Sequence, residues 1–215
     1  MAKNKRLMAI VEAIKGYDKA LDIGTDHGYV LKYALDLGYI KQGIATDIAE
    51  KPLALATINL KGYPVTCYVS DGFLGIKETF DVAIIAGMGA YTISHILNHA
   101  PDGNFDLIIM AHDHLDDLRA YLSEHSFYIE YERIIYDKRF YHIMKVSRRI
   151  MKLHEKARVT GYHVIHSDAA KQYMFHMYEK KLKYAQKANG FRADILRKES
   201  HYFFEVYESM TKQEE

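Results

Sequence analysis

The sequence predicts an α/β fold in which a mostly parallel β-sheet carries helices on both faces. Two observations lead to this prediction. Short apolar runs alternate along residues 20–122 with stretches that repeat apolar residues at helical spacing, and this β-α-β-α order is typical of parallel sheets. After Phe127, two aromatic-rich runs follow each other without a helix between them, which predicts an antiparallel pair near the end of the sheet.

Each element follows from an apolar run and the residues that flank it. Five short runs predict the parallel strands, at 20–23, 43–46, 65–69, 82–85 and 107–110. Helical spacing predicts the intervening helices, at 29–37, 53–60, 91–98 and 115–122. Pro52 supports the second of these helices because proline is favoured in the first turn. Runs 128–136 and 140–146, separated by Asp137-Lys138-Arg139, predict the antiparallel pair.

The last third of the chain predicts helices and no strands. Gly161 and the pair Asn189-Gly190 interrupt it, and Met, Tyr and Leu residues recur along one helix face on each side of Asn189-Gly190. This pattern predicts a helical hairpin that resembles a coiled coil, with these side chains used for packing. We therefore divide the chain into an α/β domain, 1–149, and a helical C-terminal domain, 150–215.

Charge is unevenly distributed, although the net charge is only +1. Residues 1–147 carry 15 Lys and Arg against 19 Asp and Glu, and residues 148–215 carry 14 against 9. A basic tail on an acidic body is expected where the tail contacts phosphate, but a solvated helical surface would have the same charges. Four lysines of the tail are the candidate phosphate-binding residues: Lys180, Lys183 and Lys187 on one helix face, with Lys181 at its edge.

Cysteine content and hydropathy indicate the cytoplasm. Cys67 is the only cysteine, so no disulfide framework exists, and we interpret it as an inert residue of a buried strand. The N-terminus lacks the apolar core of a signal peptide, and no run of apolar residues is long enough to span a membrane. The sequence does not fix the oligomeric state, and a monomer is compatible with it.

The strongest motif is the turn that follows the first strand, Asp22-Ile23-Gly24-Thr25-Asp26-His27-Gly28. Gly24 permits a tight turn, and Gly28 permits close approach of the backbone to a ligand. A dinucleotide-binding turn would have glycine in place of Asp26, because a carboxylate there repels pyrophosphate. S-adenosylmethionine (SAM) carries a sulfonium and an ammonium and no phosphate, so the acidic turn favours SAM.

Acids and glycines also follow the next three strands. Asp47 comes after the second strand, where a carboxylate can accept from ribose hydroxyls, and Asp71 comes after the third, where it can accept from the adenine amino group. Ligands of open α/β sheets bind outside these carboxyl ends. The sequence therefore predicts a SAM site formed by Asp22, Gly24, Thr25, Gly28, Asp47, Ile48, Asp71, Gly72, Gly87, Met88 and Gly89.

The segments DIGTDHGY, ATDIAEKPLALATIN, SDGF and DVAIIAGMG, followed by Asp117-Leu118-Arg119, resemble the bacterial tRNA adenine N1-methyltransferases of the TrmK type, which act at tRNA position 22. The resemblance covers roughly residues 5–147. It implies a Rossmann-like class I methyltransferase sheet, SAM as methyl donor, a helical C-terminal domain and tRNA as substrate. The chain departs from the family at Ala90, usually glycine, and at Met110-Ala111-His112, usually Gln-Pro-Asn near the substrate base.

Methylation of adenine N1 needs no strong base, because N1 carries an in-plane lone pair. A carboxylate could stabilise the positive charge that reaches the ring and accept from the N6 amino group. Asp26 is the first candidate because its loop lies nearest the methyl donor, and His27 is the second. We predict no metal, because His112-Asp113-His114 has no further ligand group at a characteristic spacing.

Two other functions remain open from the sequence. One is methylation of a small molecule, in which case the tail would be a dimerisation element. The other is a SAM-binding protein that interacts with RNA without catalysis, which the missing Gln-Pro-Asn segment makes conceivable.

Overall fold

The computed structural model describes residues 5–212 and contains one seven-stranded sheet within them. The strands are β1 (Lys19–Ile23), β2 (Gln42–Asp47), β3 (Val65–Val69), β4 (Val82–Met88), β5 (Asp106–Ala111), β6 (Phe127–Asp137) and β7 (Arg139–Arg148). Their order is β3-β2-β1-β4-β5-β7-β6. The first five strands are parallel, and β7 is antiparallel to both β5 and β6. The predicted fold class is confirmed.

Helices cover both faces of the sheet. They are α1 (Lys5–Ala13), α2 (Tyr29–Asp36), α3 (Glu50–Asn59), α4 (Ala90–Leu97), α5 (Leu115–Glu124), α6 (Glu155–Thr160), α7 (Asp168–Lys187) and α8 (Gly190–Lys212). Helices α1 to α3 pack on one face, where Ile10 and Leu31 are buried, and α4 and α5 pack on the other, around Ile93 and Leu118. The sequence analysis did not predict α1 and α6.

The tail forms the predicted helical hairpin. Helix α7 ends at Lys187 and α8 begins at Gly190, so the break lies where Asn189-Gly190 predicted it. Met174 of α7 and Phe203 of α8 are buried against Ile134 of β6. Leu182, which was predicted on the packed face, is 37% exposed instead. Within residues 5–212, no helix is long and apolar enough to cross a membrane.

A buried ion pair joins α5, β6 and the segment that leads into the tail. Arg119 donates to Glu132 from Nε at 2.7 Å and from Nη2 at 2.8 Å. Arg119 Nη1 also donates to the carbonyl of Arg158 at 2.9 Å, and the Tyr162 amide donates to Glu132 Oε1 at 2.7 Å. Burial alone would raise the pKa of Glu132, but the Arg119 charge and the bonds to His142 and Arg119 outweigh it and lower that pKa to about 2. The α/β part and the tail are therefore connected by buried polar contacts.

The surroundings of Cys67 differ from the prediction. Strand β3 lies at the edge of the sheet and pairs only with β2, with Cys67 opposite Ala45. Cys67 is therefore half-buried rather than part of a buried strand, although it packs against the core beneath α1 to α3.

Candidate active site

The turn after β1 is held by its own backbone and by β2. The amides of Gly24 and Thr25 both donate to the carbonyl of Thr46, each at 2.8 Å. The Gly28 amide donates back to the Thr25 carbonyl at 2.9 Å and closes the loop. The backbone of Asp26 is in the left-handed region, with a φ of 52°. The Asp26 amide donates to Asp47 Oδ2 at 3.3 Å. The turn is therefore compact and attached to the carboxyl end of β2.

The two glycines of this turn are required for different reasons. Gly24 has a φ of 72°, and a Cβ there would collide with the Met88 side chain. Gly28 also has a φ of 72°, and a Cβ there would lie 2.7 Å from Leu60 Cδ1. Gly28 thus precedes α2 and lets the end of α3 pack closely, which was not predicted. The close approach of Gly28 to a ligand stays a prediction. Gly24 does line the cleft beside the turn.

Asp22 is a buried carboxylate beneath this turn. It is 4% exposed and accepts one hydrogen bond, from Thr25 Oγ1 at 2.7 Å. Burial raises the pKa of Asp22 to about 6, against the Thr25 hydrogen bond and with a smaller contribution from the charge of Asp47. Because burial penalises the charged carboxylate, a cationic group bound beside it would be stabilised.

Asp47 is oriented by two backbone amides. Its Oδ1 accepts from Ala49 at 2.9 Å and its Oδ2 accepts from Asp26. The next residue, Ile48, is 68% exposed. The carboxylate therefore has a fixed orientation, with an exposed apolar surface beside it.

Asp71 and Gly72 lie at the carboxyl end of β3, next to that of β2. The Ser70 amide donates to the Asp47 carbonyl at 3.0 Å, so Asp71 follows one residue beyond this contact. Gly72 has a φ of 62°, and a Cβ there would lie 3.0 Å from Ile96 Cγ2. The structure thus brings Asp22, Asp47 and Asp71 to the same edge of the sheet, as predicted.

The glycines after β4 form a bulge and a helix start. The pairing of β4 with β5 shifts between Ala86 and Met88, where Gly87 has a φ of 84°. Gly89 precedes α4, and Asp113 Oδ1 accepts from the Ala90 amide at 3.1 Å. Asp113 therefore caps α4. No group of three or more His, Cys, Asp or Glu within residues 5–212 is arranged to hold a metal ion.

A cleft of about 200 Å³ lies between the turn, the ends of β4 and β5, and α1. Asp22, Gly24, Asp26 and Gly87 line it, and α1 contributes Arg6, Leu7 and Ile10. The sequence analysis missed α1 as part of the site. Its signal was present, because Leu7, Ile10, Val11 and Ile14 have helical spacing.

Asp26 and His27 are at the solvent side of the turn. His27 Nδ1 lies 2.9 Å from Asp26 Oδ1, and the two side chains are 43% and 69% exposed, respectively. The backbone here is fixed, since Asn59 Nδ2 donates to the His27 carbonyl at 3.0 Å. The pair is therefore accessible to a second, incoming substrate.

Three of the four candidate lysines of α7 line one groove, and the fourth contacts α8. Lys180, Lys183 and Lys187 line a surface groove along α7 together with Tyr184. Lys181 instead forms an ion pair with Glu199 of α8 at 2.6 Å and is only a quarter exposed. The three lysines share a face as predicted, whereas Lys181 contributes to the contact between the two helices.

A sheet of this order, with acidic residues after β1, β2 and β3, defines a Rossmann-like fold of the class I methyltransferase kind. Residues 3–144 match the model of the family described as "Methyltransferase domain", and the chain belongs to this family.

Named relatives are similar over part or nearly all of the chain. The tRNA (adenine(22)-N(1))-methyltransferase of Bacillus subtilis strain 168 is 32% identical over 127 residues, which are 55% of this chain and 53% of that protein. Sp1610 of Streptococcus pneumoniae, solved in complex with S-adenosyl-L-methionine, has a TM-score of 0.81 and 27% identity, covering 94% of this chain and 98% of that one. TrmK of M. capricolum, solved with S-adenosyl-homocysteine, has a TM-score of 0.82 and 24% identity over 95% and 97% of the chains, a likeness of fold.

Proposed function

We propose that this protein transfers a methyl group from SAM to N1 of an adenine in tRNA, at position 22 by similarity, and acts in the cytoplasm. The observation that carries the proposal is the acidic turn after β1, in a chain of which 127 residues align at 32% identity with a tRNA (adenine(22)-N(1))-methyltransferase. A pyrophosphate would be repelled at this turn, whereas SAM brings positive charge to it.

The residues present fit SAM by the chemistry of their donors and acceptors. Asp22 and the turn 24–28 suit the cationic methionine portion, Asp47 suits the ribose hydroxyls, and Asp71 suits the adenine amino group. Exposed Ile48 offers an apolar surface to the adenine ring, and Gly72 follows Asp71 at the end of β3. Gly87, Met88 and Gly89 complete the pocket where β4 ends. When bound, SAM supplies a methyl group activated by a sulfonium.

Asp47 is prepared for its role before any ligand arrives. The Ala49 and Asp26 amides fix its carboxylate at 2.9 and 3.3 Å. Each carboxylate oxygen has a second lone pair, so both can accept from the ribose while the amide contacts remain. The Asp47 side chain then loses little conformational entropy when the ligand binds, which lowers the entropic cost of binding.

On the acceptor side, Asp26 has the exposure and the position to meet the base. It would accept from the N6 amino group, which selects adenine over guanine, and would stabilise the ring as it becomes positive. His27 lies beside it, with Nδ1 2.9 Å from Asp26 Oδ1. The adenine must be turned out of its stack, at a cost of a few kcal/mol.

The tail would hold the body of the tRNA while residues 1–149 perform the transfer. Lys180, Lys183 and Lys187 present three cations in one groove, and neutralising phosphates there releases counterions. Changing these three to Ala should weaken tRNA binding and reduce the salt slope by roughly one for each phosphate that is no longer neutralised. Lys181→Ala is the matched control, because Lys181 already pairs with Glu199. Equal losses of affinity in both variants would refute this role.

The proposed function is tested by methyl transfer from labelled SAM to total tRNA, followed by digestion and nucleoside analysis. We expect N1-methyladenosine. Methylguanosine or methylcytidine would contradict the assignment of the base. SAM binding without any methylated RNA would favour a non-catalytic, RNA-interacting protein. Labelling of a small molecule instead of tRNA would favour a small-molecule methyltransferase.

A further inference from the structure

A second cleft, of about 440 Å³, lies between the loop after β5, the β6–β7 hairpin and the tail helices. We call it the hairpin cleft. Met110 lines the first cleft, and the next two residues along the chain, Ala111 and His112, line the second. His112 is also close to the cofactor side, since a Cβ on Gly87 would lie 3.9 Å from its Nε2. The hairpin cleft therefore continues outward from the predicted methyl-transfer site.

The rim of the hairpin cleft carries two cations that lack an ion pair. Arg139 and Lys180 both line it and are exposed, and neither forms an ion pair within residues 5–212. The Arg139 guanidinium lies 4.8 Å from the centre of the Tyr141 ring, which does not line the cleft, so the side chain turns from this ring to meet a phosphate there.

Most other charges of the lining are already paired. Lys181 pairs with Glu199, Arg119 pairs with Glu132, and Asp113 caps α4. Asp116 is then the one lining carboxylate without such a contact among the described residues. Asp113 and Asp116 keep their charge, because neither forms an ion pair among the described residues, so an anion at the rim depends on direct contact with Arg139 and Lys180.

The floor of the cleft contains a buried histidine with an unused nitrogen. His142 lines the cleft, is 2% exposed, and has no hydrogen-bond partner at Nε2 among residues 5–212. Its Nδ1 lies 3.4 Å from Glu132 Oε2. Glu132 is ionised and can only accept, so Nδ1 carries the proton. Burial lowers the pKa of His142, which keeps the ring neutral.

A neutral ring with its proton on Nδ1 has a lone pair at Nε2. A buried acceptor without a partner costs free energy, so a ligand that donates to this nitrogen would be favoured. A phosphate oxygen cannot donate, whereas a hydroxyl can. The hairpin cleft thus combines an anion-binding rim with a floor that needs a hydroxyl, and the ribose 2′-hydroxyl together with its phosphate supplies both in RNA.

We propose that the hairpin cleft holds one ribonucleotide of the tRNA next to the methylated adenine, with its phosphate at Arg139 and Lys180 and its 2′-hydroxyl donating to His142 Nε2. This inference rests on the proposed function. It assigns His142, which the sequence analysis did not single out, to substrate recognition. The rings of Phe140 and Tyr173, 5.4 Å apart, form the apolar wall beside the ribose.

The rim is tested with the double variant Arg139→Ala, Lys180→Ala, against Lys61→Ala. Lys61 is exposed between α3 and β3 and does not line the cleft, so it controls for the loss of one positive charge elsewhere. Because Lys180 also lines the groove along α7, Lys180→Ala is measured alone beside the double variant. We expect roughly tenfold weaker tRNA binding and a smaller salt slope for the double variant, with part of the loss added by Arg139→Ala and with SAM affinity unchanged in calorimetry. The KM for tRNA should rise more than kcat falls.

The floor is tested with His142→Phe and with synthetic tRNA that carries single 2′-deoxy substitutions at the nucleotides flanking the target adenine. Wild-type protein should lose several-fold affinity at one of these positions, and His142→Phe should bind the deoxy and ribo forms equally. If His142→Phe does not fold, the rim variants decide alone, because their side chains are exposed.

Two outcomes would overturn the proposal. One is a double rim variant that binds tRNA as Lys61→Ala does. The other is a folded His142→Phe with the same deoxy sensitivities as wild type. Either result, with methyl transfer to tRNA intact in the wild type, rejects the cleft assignment and leaves the proposed function standing. A wild type that neither binds nor methylates tRNA rejects both.

Discussion

The buried carboxylate of Asp22 makes a quantitative prediction about stability and pH. The Asp22 carboxylate accepts a hydrogen bond from the Thr25 hydroxyl, and burial raises its pKa from 3.8 to about 6. A raised carboxylate pKa means that the unfolded chain loses its proton first. The contribution of Asp22 is therefore most favourable below about pH 4 and is lost as pH rises through about 6. The difference between the two pKa values corresponds to roughly 3 kcal/mol.

Asp22→Asn isolates this contribution, because asparagine keeps the shape and can still accept from Thr25 but does not titrate. We expect the unfolding free energy of the variant, minus that of wild type, to increase by about 3 kcal/mol between pH 4 and pH 8. Urea unfolding of both proteins across this range, without SAM, measures the difference. A difference that stays constant within about 0.5 kcal/mol would show that the Asp22 charge is not desolvated.

The same variant separates stability from binding. If Asp22 meets the cationic portion of SAM, saturating SAM at pH 8 should raise the unfolding free energy of wild type more than that of Asp22→Asn. Equal stabilisation of the two proteins would remove Asp22 from the cofactor site.

Three further substitutions test other parts of the site and the fold. Asp47→Ala should weaken SAM binding by roughly 1–3 kcal/mol in calorimetry, and unchanged affinity would exclude its contact with the ribose. Asp26→Asn should leave SAM affinity nearly unchanged and slow methyl transfer about 100-fold, whereas near-normal turnover would make Asp26 only a loop residue. Glu132→Gln should cost about 3–5 kcal/mol of unfolding free energy, because Arg119 keeps its charge in the core. The half-exposed pair of Glu130 with Arg149 is the control, and Glu130→Gln should cost under about 1 kcal/mol.

The sequence predicted the sheet and the cofactor side of the site because both are local in the chain. Buried parallel strands appear as continuous apolar runs, and the acidic turn after β1 occupies seven consecutive residues. Helix α1 also has helical spacing, but it precedes the first strand, so the alternation of strands and helices does not point to it.

The hairpin cleft and the Arg119–Glu132 pair could not be predicted in the same way. Arg119 and Glu132 are 13 positions apart in the sequence. Charged residues that alternate with apolar ones normally indicate a solvent-exposed face of a strand. The cleft joins three distant segments, so no local pattern describes it. Lys181 was placed at the edge of a basic face by helical geometry, and only the position of α8 decides that this edge faces Glu199.

The buried pair of Arg119 and Glu132 also fixes the distance between the tail and the sheet. The tail meets this pair through the Arg158 carbonyl and the Tyr162 amide, so the helical hairpin cannot swing away from the sheet without breaking charged hydrogen bonds in the core. For an RNA held at α7 and modified at the turn after β1, the span between the two contacts is set by the protein. From this arrangement we expect a folded tRNA that spans both contacts to bind more tightly than a short oligonucleotide of the same sequence, which reaches only one of them.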